Sequence, residues 1–168
     1  MTKDQLMGAA DDVVEIVVTQ GEKRLEGQCA FAEVQDARGG ALVQAAVALA
    51  AAAAGVCAGT AGLKGVESPL AWAAGAATLG FSVSSLLALW ASRACNFHSA
   101  GWYPNDFADD LTNKRCAKSI RSDIALDLQI RLSQNFTALN RRGELYNAAT
   151  VVLLATPVAS LVVGLIAA

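Results

Sequence analysis

Three stretches of this chain contain no Asp, Glu, Lys or Arg: residues 39–63, 68–92 and 145–168. Each exceeds the roughly 20 residues an α-helix needs to cross a hydrocarbon core about 30 Å thick. Inside lipid every backbone polar group must be satisfied within the chain, which an unbroken helix achieves. Three such gaps within 168 residues therefore predict three membrane-spanning helices. The alternative is a soluble, Ala-rich bundle. It must accommodate 54% hydrophobic and only 17% charged residues, where soluble domains carry roughly 25% charge.

The three stretches differ in kind. The third, "LYNAATVVLLATPVASLVVGLIAA", is rich in Leu and Val, and the second carries Trp72, Leu79, Phe81, Val83, Leu86, Leu87 and Trp90. The first is mostly Ala and Gly, with Leu42, Val43, Val47, Leu49, Val56 and Leu63. Leu and Val favour insertion by a few tenths of a kcal/mol each, and Ala is near zero. The first span is marginal alone and is expected to insert as a hairpin with the second, across the short turn 64–69.

Basic residues set the orientation. Lys3, Lys23, Arg24 and Arg38 precede the first span. Arg93, Lys114, Arg115, Lys118, Arg121, Arg131, Arg141 and Arg142 lie between the second and third, and only Lys64 lies in the hairpin turn. The positive-inside rule makes the basic side cytoplasmic. The expectation is a multi-pass protein of the bacterial inner (plasma) membrane, N-terminus cytoplasmic and C-terminus extracytoplasmic. The first 38 residues are acidic and lack an apolar run, so no cleaved signal peptide is expected.

The predicted fold is thus an all-α membrane protein with three transmembrane helices and a small cytoplasmic helical bundle. It comprises an N-terminal cytoplasmic amphipathic helix over 1–38 and a transmembrane hairpin over 39–92. A cytoplasmic interface loop and long helix over 93–144 lead to a C-terminal transmembrane helix over 145–168. In the first segment Val14, Val17, Val18, Leu25, Cys29 and Ala32 recur at helical intervals, and Gly21 and Gly27 mark a place for a break. In the third, Trp102 and Tyr103 suit a membrane interface, and a long helix is expected over about 106–143. Ile120, Ile124, Leu128, Leu132, Phe136 and Leu139 form its apolar stripe. That stripe either packs on the N-terminal helix of the same chain or faces a partner, with Ile120, Ile124 and Leu128 as the partner-facing candidates.

Within the spans, Gly55-Val-Cys-Ala-Gly59 is a GxxxG, a spacing that lets helix backbones approach closely in lipid. It serves either packing inside the monomer or self-association, with Gly55 and Gly59 as candidate oligomer contacts. Gln44, Ser82 and Ser85 are candidate pore-lining residues; the serines otherwise bond back to their own helix.

Catalysis finds no support. His98 is the single histidine, and no GxSxG, HExxH, P-loop or GxGxxG occurs. No cofactor and no metal site is expected; Cys95-Asn-Phe-His98 has CxxH spacing, but no second tight pair accompanies it. The net charge of −2 argues against nucleic acid. With no charge inside a span, ion-coupled transport is not expected.

Three segments together carry a resemblance: "EVQDARGGALVQ" (33–44), "FHSAGWYPNDF" (97–107) and "ALNRRGELYNAATVVLLA" (138–155). The layout resembles that of the small transmembrane effectors of bacterial anti-phage nucleotide-signalling systems, of Pycsar and SLATT type. Gly39 stands where that pattern has Ala. The resemblance implies a membrane-disrupting or pore-forming effector, switched by a nucleotide signal or a soluble protein partner. It implies interface or gating roles for Arg38, Trp102 and Asn140, beside the interfacial Tyr103. The expected partners are the lipid bilayer and further copies of the chain. The alternative function is a non-enzymatic membrane adaptor that recruits a soluble partner through its cytoplasmic helices. A phage holin ranks behind both, because the segment between spans two and three is too large.

Overall fold

The computed structural model describes residues 1–93, 97–99, 101–102 and 104–168. The described residues are all-helical, with no strand. The helices are α1 (Lys3–Gly8), α2 (Asp11–Lys64), α3 (Pro69–Ala91), α4 (Ala108–Thr112), which follows a 3-10 turn at Pro104–Phe107, and α5 (Ala117–Ile166). Of these, α2, α3 and α5 are long and apolar enough to cross a membrane.

Local chemistry explains the ends. Thr2 and Gln5 form a reciprocal capping box at the start of α1. Asp11 and Asp12 open α2 and Lys64 closes it, matching the helix dipole at both ends. Gly65 follows with φ of 83° and its N–H donates to the Ala61 carbonyl, a left-handed stop that favours glycine. Pro69 begins α3 at the position where its missing N–H costs nothing. Lys114 takes a positive φ of 52° just after α4, which ends the helical run before α5 starts.

The two long helices continue where charge stops. No break occurs at Gly21 or Gly27, and α2 runs through 38/39 without interruption. Likewise α5 runs through 144/145 and continues past Pro157. Charge stops at these points, but nothing there stops a helix. The long helix expected from about 106 is instead split, because the turn at 113–116 separates α4 from α5.

The chain forms two compact units: Met1–Glu33 with Cys95–Leu139, and Val34–Ala94 with Asn140–Ala168. In the first, α2 and α5 run side by side in the same direction. Lys118 pairs with Asp11 and Arg121 with Glu15, and Gln28 Nε2 donates to the Leu132 carbonyl at 3.2 Å. Leu6, Val14 and Ala125 make the apolar core at one end. Gly21 admits Leu128: a Cβ there would stand 3.1 Å from Leu128 Cδ1.

The covered positions of each long helix alternate at intervals of three and four. On α2 they are Val14, Val18, Gly21, Leu25, Gln28, Ala32, Gln35 and Gly39. On α5 they are Ser122, Ala125, Leu128, Leu132, Asn135, Leu139, Arg142 and Tyr146. This is coiled-coil spacing, but about half of the seam is glycine or polar.

Candidate functional site

The second unit holds the three apolar stretches, so its faces decide what the chain can do in a bilayer. There α3 runs antiparallel to α5 and meets it at four levels. A Cβ on Gly164 would stand 3.1 Å from that of Ala73. A Cβ on Gly80 would stand 2.7 Å from Thr156 Cγ2, closer than real Cβ atoms come. The fully buried Ser84 donates to the Ala149 carbonyl at 2.8 Å. At the last level the Arg142 Nε donates to the Ala91 carbonyl at 3.0 Å.

Arg142 joins three helices. Its side chain is 8% exposed, and one terminal nitrogen donates to Asp36 Oδ1 at 2.6 Å. The Ala91 carbonyl belongs to the last turn of α3, where the helix dipole is negative and a cation is favoured. One guanidinium therefore satisfies an orphan carbonyl of α3 and a carboxylate of α2 from a seat on α5. Next to this contact, Tyr146 occupies the space left by the missing side chain of Gly39. The Tyr146 hydroxyl and Gln35 Oε1 are buried with no hydrogen-bond partner among the described residues.

Cys57 Sγ donates to the Ala71 carbonyl at 3.4 Å. Around it opens an apolar groove of about 750 Å³ walled by Ala54, Ala58, Ala61, Trp72, Gly75 and Leu79, among others. The most apolar window of α2 is only 6% buried, against 28% for that of α3. It ranks above α3 in mean hydropathy, 2.0 against 1.5, yet alanine contributes little to insertion itself.

The residues singled out from sequence fall into three groups. Gly55 and Gly59 are exposed, and a Cβ on either meets nothing within 4 Å. They do not pack inside the chain, whereas Gly39, Gly80 and Gly164 in the same unit do. Gln44 is exposed, Ser85 is buried, and Ser82 is half-buried with its hydroxyl donating to the Thr78 carbonyl of its own helix at 2.7 Å. Arg38 and Asn140 are exposed.

Trp102, Ile120, Ile124 and Leu128 belong to the first unit. Leu128, one of the partner-facing candidates, is 2% exposed and lies against Gly21 of the same chain, the alternative given for this stripe. Ile120 and Ile124 are half-buried and share a cavity of about 190 Å³ with Trp102 and Phe107. The Arg131 guanidinium lies 4.2 Å from the Trp102 ring centre, a cation–π contact. Tyr103 and Cys95 lie outside the described residues. Among the described residues no three of His, Cys, Asp and Glu gather as a metal site. His98 is held by Asn135, which accepts from its backbone N–H and donates to its carbonyl, both at 3.0 Å.

An ion network ties α1 to the start of α5. Lys3 pairs with Asp123 at 2.6 Å, and Arg115 pairs with both Asp123 and Asp110. The hydrogen bond from Lys3, then that from Arg115, holds the Asp123 carboxyl below its usual range. Its hydrogen bonds to Asp123 and then to Asp110 raise the already high pKa of Arg115.

The sequence reading missed Asp36 and Arg142. Both sit inside the segments 33–44 and 138–155, but the pairing is long-range, and the visible signal was only an Arg at a covered seam position. Comparison with protein-family models, with curated proteins and with solved structures finds no match to this chain.

Proposed function

We propose that this chain is a multi-pass effector of the bacterial inner membrane that self-associates and permeabilises that membrane, acting in anti-phage defence. In this reading the spans are α3 and the uncharged parts of α2 and α5. The basic end, with Arg38, Arg141 and Arg142, faces the cytoplasm. The observation that carries the reading is the division of labour among glycines. Gly39, Gly80 and Gly164 are used up by contacts within the chain, whereas Gly55 and Gly59 present open backbone on an Ala-rich helix. Small residues exposed on a span gain by backbone-to-backbone approach of another helix, and a second copy supplies one.

The test combines assembly and membrane potential. The intact chain, expressed in bacteria, is expected to depolarise the membrane on induction or on phage infection, and to migrate as a homo-oligomer from mild detergent. Gly55→Leu and Gly59→Leu are expected to lose both properties while still inserting. A steady potential in the wild type, or intact oligomers in both variants, would overturn the proposal.

A second reading, the non-enzymatic adaptor, draws on the exposed apolar side chains of the first unit. Ile16, Phe31, Ile130 and Phe136 are each more than half exposed. It predicts that Phe31→Asp with Phe136→Asp abolishes capture of a soluble partner and leaves insertion intact.

A further inference from the structure

The charged groups of the membrane-spanning unit are arranged unequally at its two ends, and the structure separates those already neutralised from those still open. At the hairpin turn there is one cation, Lys64, and one anion, Glu67. At the other end stand Arg38, Arg93, Arg141 and Arg142 against Asp36 and Glu144. Arg142 is buried and committed to Asp36 and the Ala91 carbonyl. Arg38 and Arg141 are exposed and have no ion pair among the described residues. Arg38 directly precedes the uncharged stretch 39–63, and Arg141 lies just before 145–168. When these stretches lie in lipid, both guanidinium groups stand at headgroup depth, with stems long enough to reach along the interface.

We infer that Arg38 and Arg141 bind the phosphates of anionic phospholipid headgroups, so that the chain gathers anionic lipid around this one end. The inference rests on the membrane-spanning reading above. The argument is charge complementarity: a juxtamembrane Arg interacts favourably with an anionic leaflet, by an amount that corresponds to roughly fivefold in affinity per residue. Arginine adds a planar fork that matches two phosphate oxygens at once. The basic surplus here is smaller than in dedicated polybasic tails. The expected outcome is a preference for anionic over zwitterionic lipid at the same depth, not an anchor.

The test reconstitutes the full chain in vesicles of equal parts phosphatidylcholine and phosphatidylglycerol. After flotation and mild detergent extraction, the lipid retained on the protein is quantified by mass spectrometry. The wild type is expected to retain phosphatidylglycerol in excess. Arg38→Gln and Arg141→Gln are each expected to lower that excess roughly fivefold, and the double variant to bring it near parity. Lys64→Gln, at the other end, is expected to change nothing. Unchanged enrichment in the double variant, or an equal loss in Lys64→Gln, would overturn the inference. Loss of the excess on adding inorganic phosphate would also overturn it, because the arginines would then be taking the free ion. A chain that floats with the vesicles but enriches neither lipid defeats this inference alone. A chain that fails to float defeats the membrane reading with it.

Discussion

Removing the Arg142 guanidinium gives the sharpest test of how the second unit is held together. Arg142→Met keeps most of the apolar stem and deletes two charge-assisted hydrogen bonds. Bonds of this kind contribute about 1.5–3 kcal/mol each. The one to the Ala91 carbonyl is buried and counts in full; its loss leaves that oxygen without a partner among the described residues. The one to Asp36 counts less, because that side chain is 52% exposed and water replaces most of the pairing. The expected cost is about 3 kcal/mol. For a chain of this length, that lowers the melting temperature by about 6–12 °C. Asp36→Asn leaves an oxygen for Arg142 to donate to and is expected to cost about 1 kcal/mol. Thermal unfolding in detergent micelles, followed by circular dichroism on both single variants and the double, gives the coupling between them. A loss under about 1 kcal/mol for Arg142→Met would refute the reasoning. So would Asp36→Asn costing more than Arg142→Met, since the carboxylate and not the α3 carbonyl would then carry the contact.

Two further outcomes follow from geometry already given. Gly80→Ala pushes a Cβ into Thr156 and is expected to cost about 1–3 kcal/mol. Gly55→Ala meets nothing within the chain and is expected to gain up to about 1 kcal/mol from helix propensity in the monomer; equal melting shifts for the two would contradict the assigned contacts. Because the folded Asp123 carboxyl is held below its unfolded value, its ion pairs contribute stability that is complete above the unfolded value. That contribution falls away as pH drops through the depressed folded one. Hydrogen exchange in α1 is expected to accelerate over that acid window in the wild type, and to lose this pH dependence in Asp123→Asn.

The three apolar helices were legible because they rest on the one signal that needs no tertiary context, the absence of charge. Val14, Leu25 and Ala32 were legible too, since an apolar stripe on α2 is the stripe that is covered. On α5 the same logic finds Leu128, Leu132 and Leu139, which are covered, and misses the polar members of the seam. Phe136 lies on the expected stripe and is 59% exposed, while Ser122, Asn135 and Arg142 lie on the covered seam. Hydrophobic periodicity cannot find a seam whose members are polar or small. The long helices run on through 38/39 and 144/145, because the end of a charged stretch does not by itself end a helix. The Arg142 contact was out of reach for a further reason: its partners, Asp36 and Ala91, lie 106 and 51 residues away in sequence.

The polar seam has a consequence for how faithfully this protein folds. Two helices faced with leucine attract each other in many alignments, and sliding one past the other by a full heptad costs them little. A glutamine or arginine at such a position is satisfied in one alignment and stranded in its neighbours, so it trades strength for a unique pairing. Gln28 reaching the Leu132 carbonyl and Arg142 reaching Asp36 each reject the shifted alternatives. Redesigning the seam with leucine is therefore expected to give a chain that resists heat better and finds its own structure less reliably.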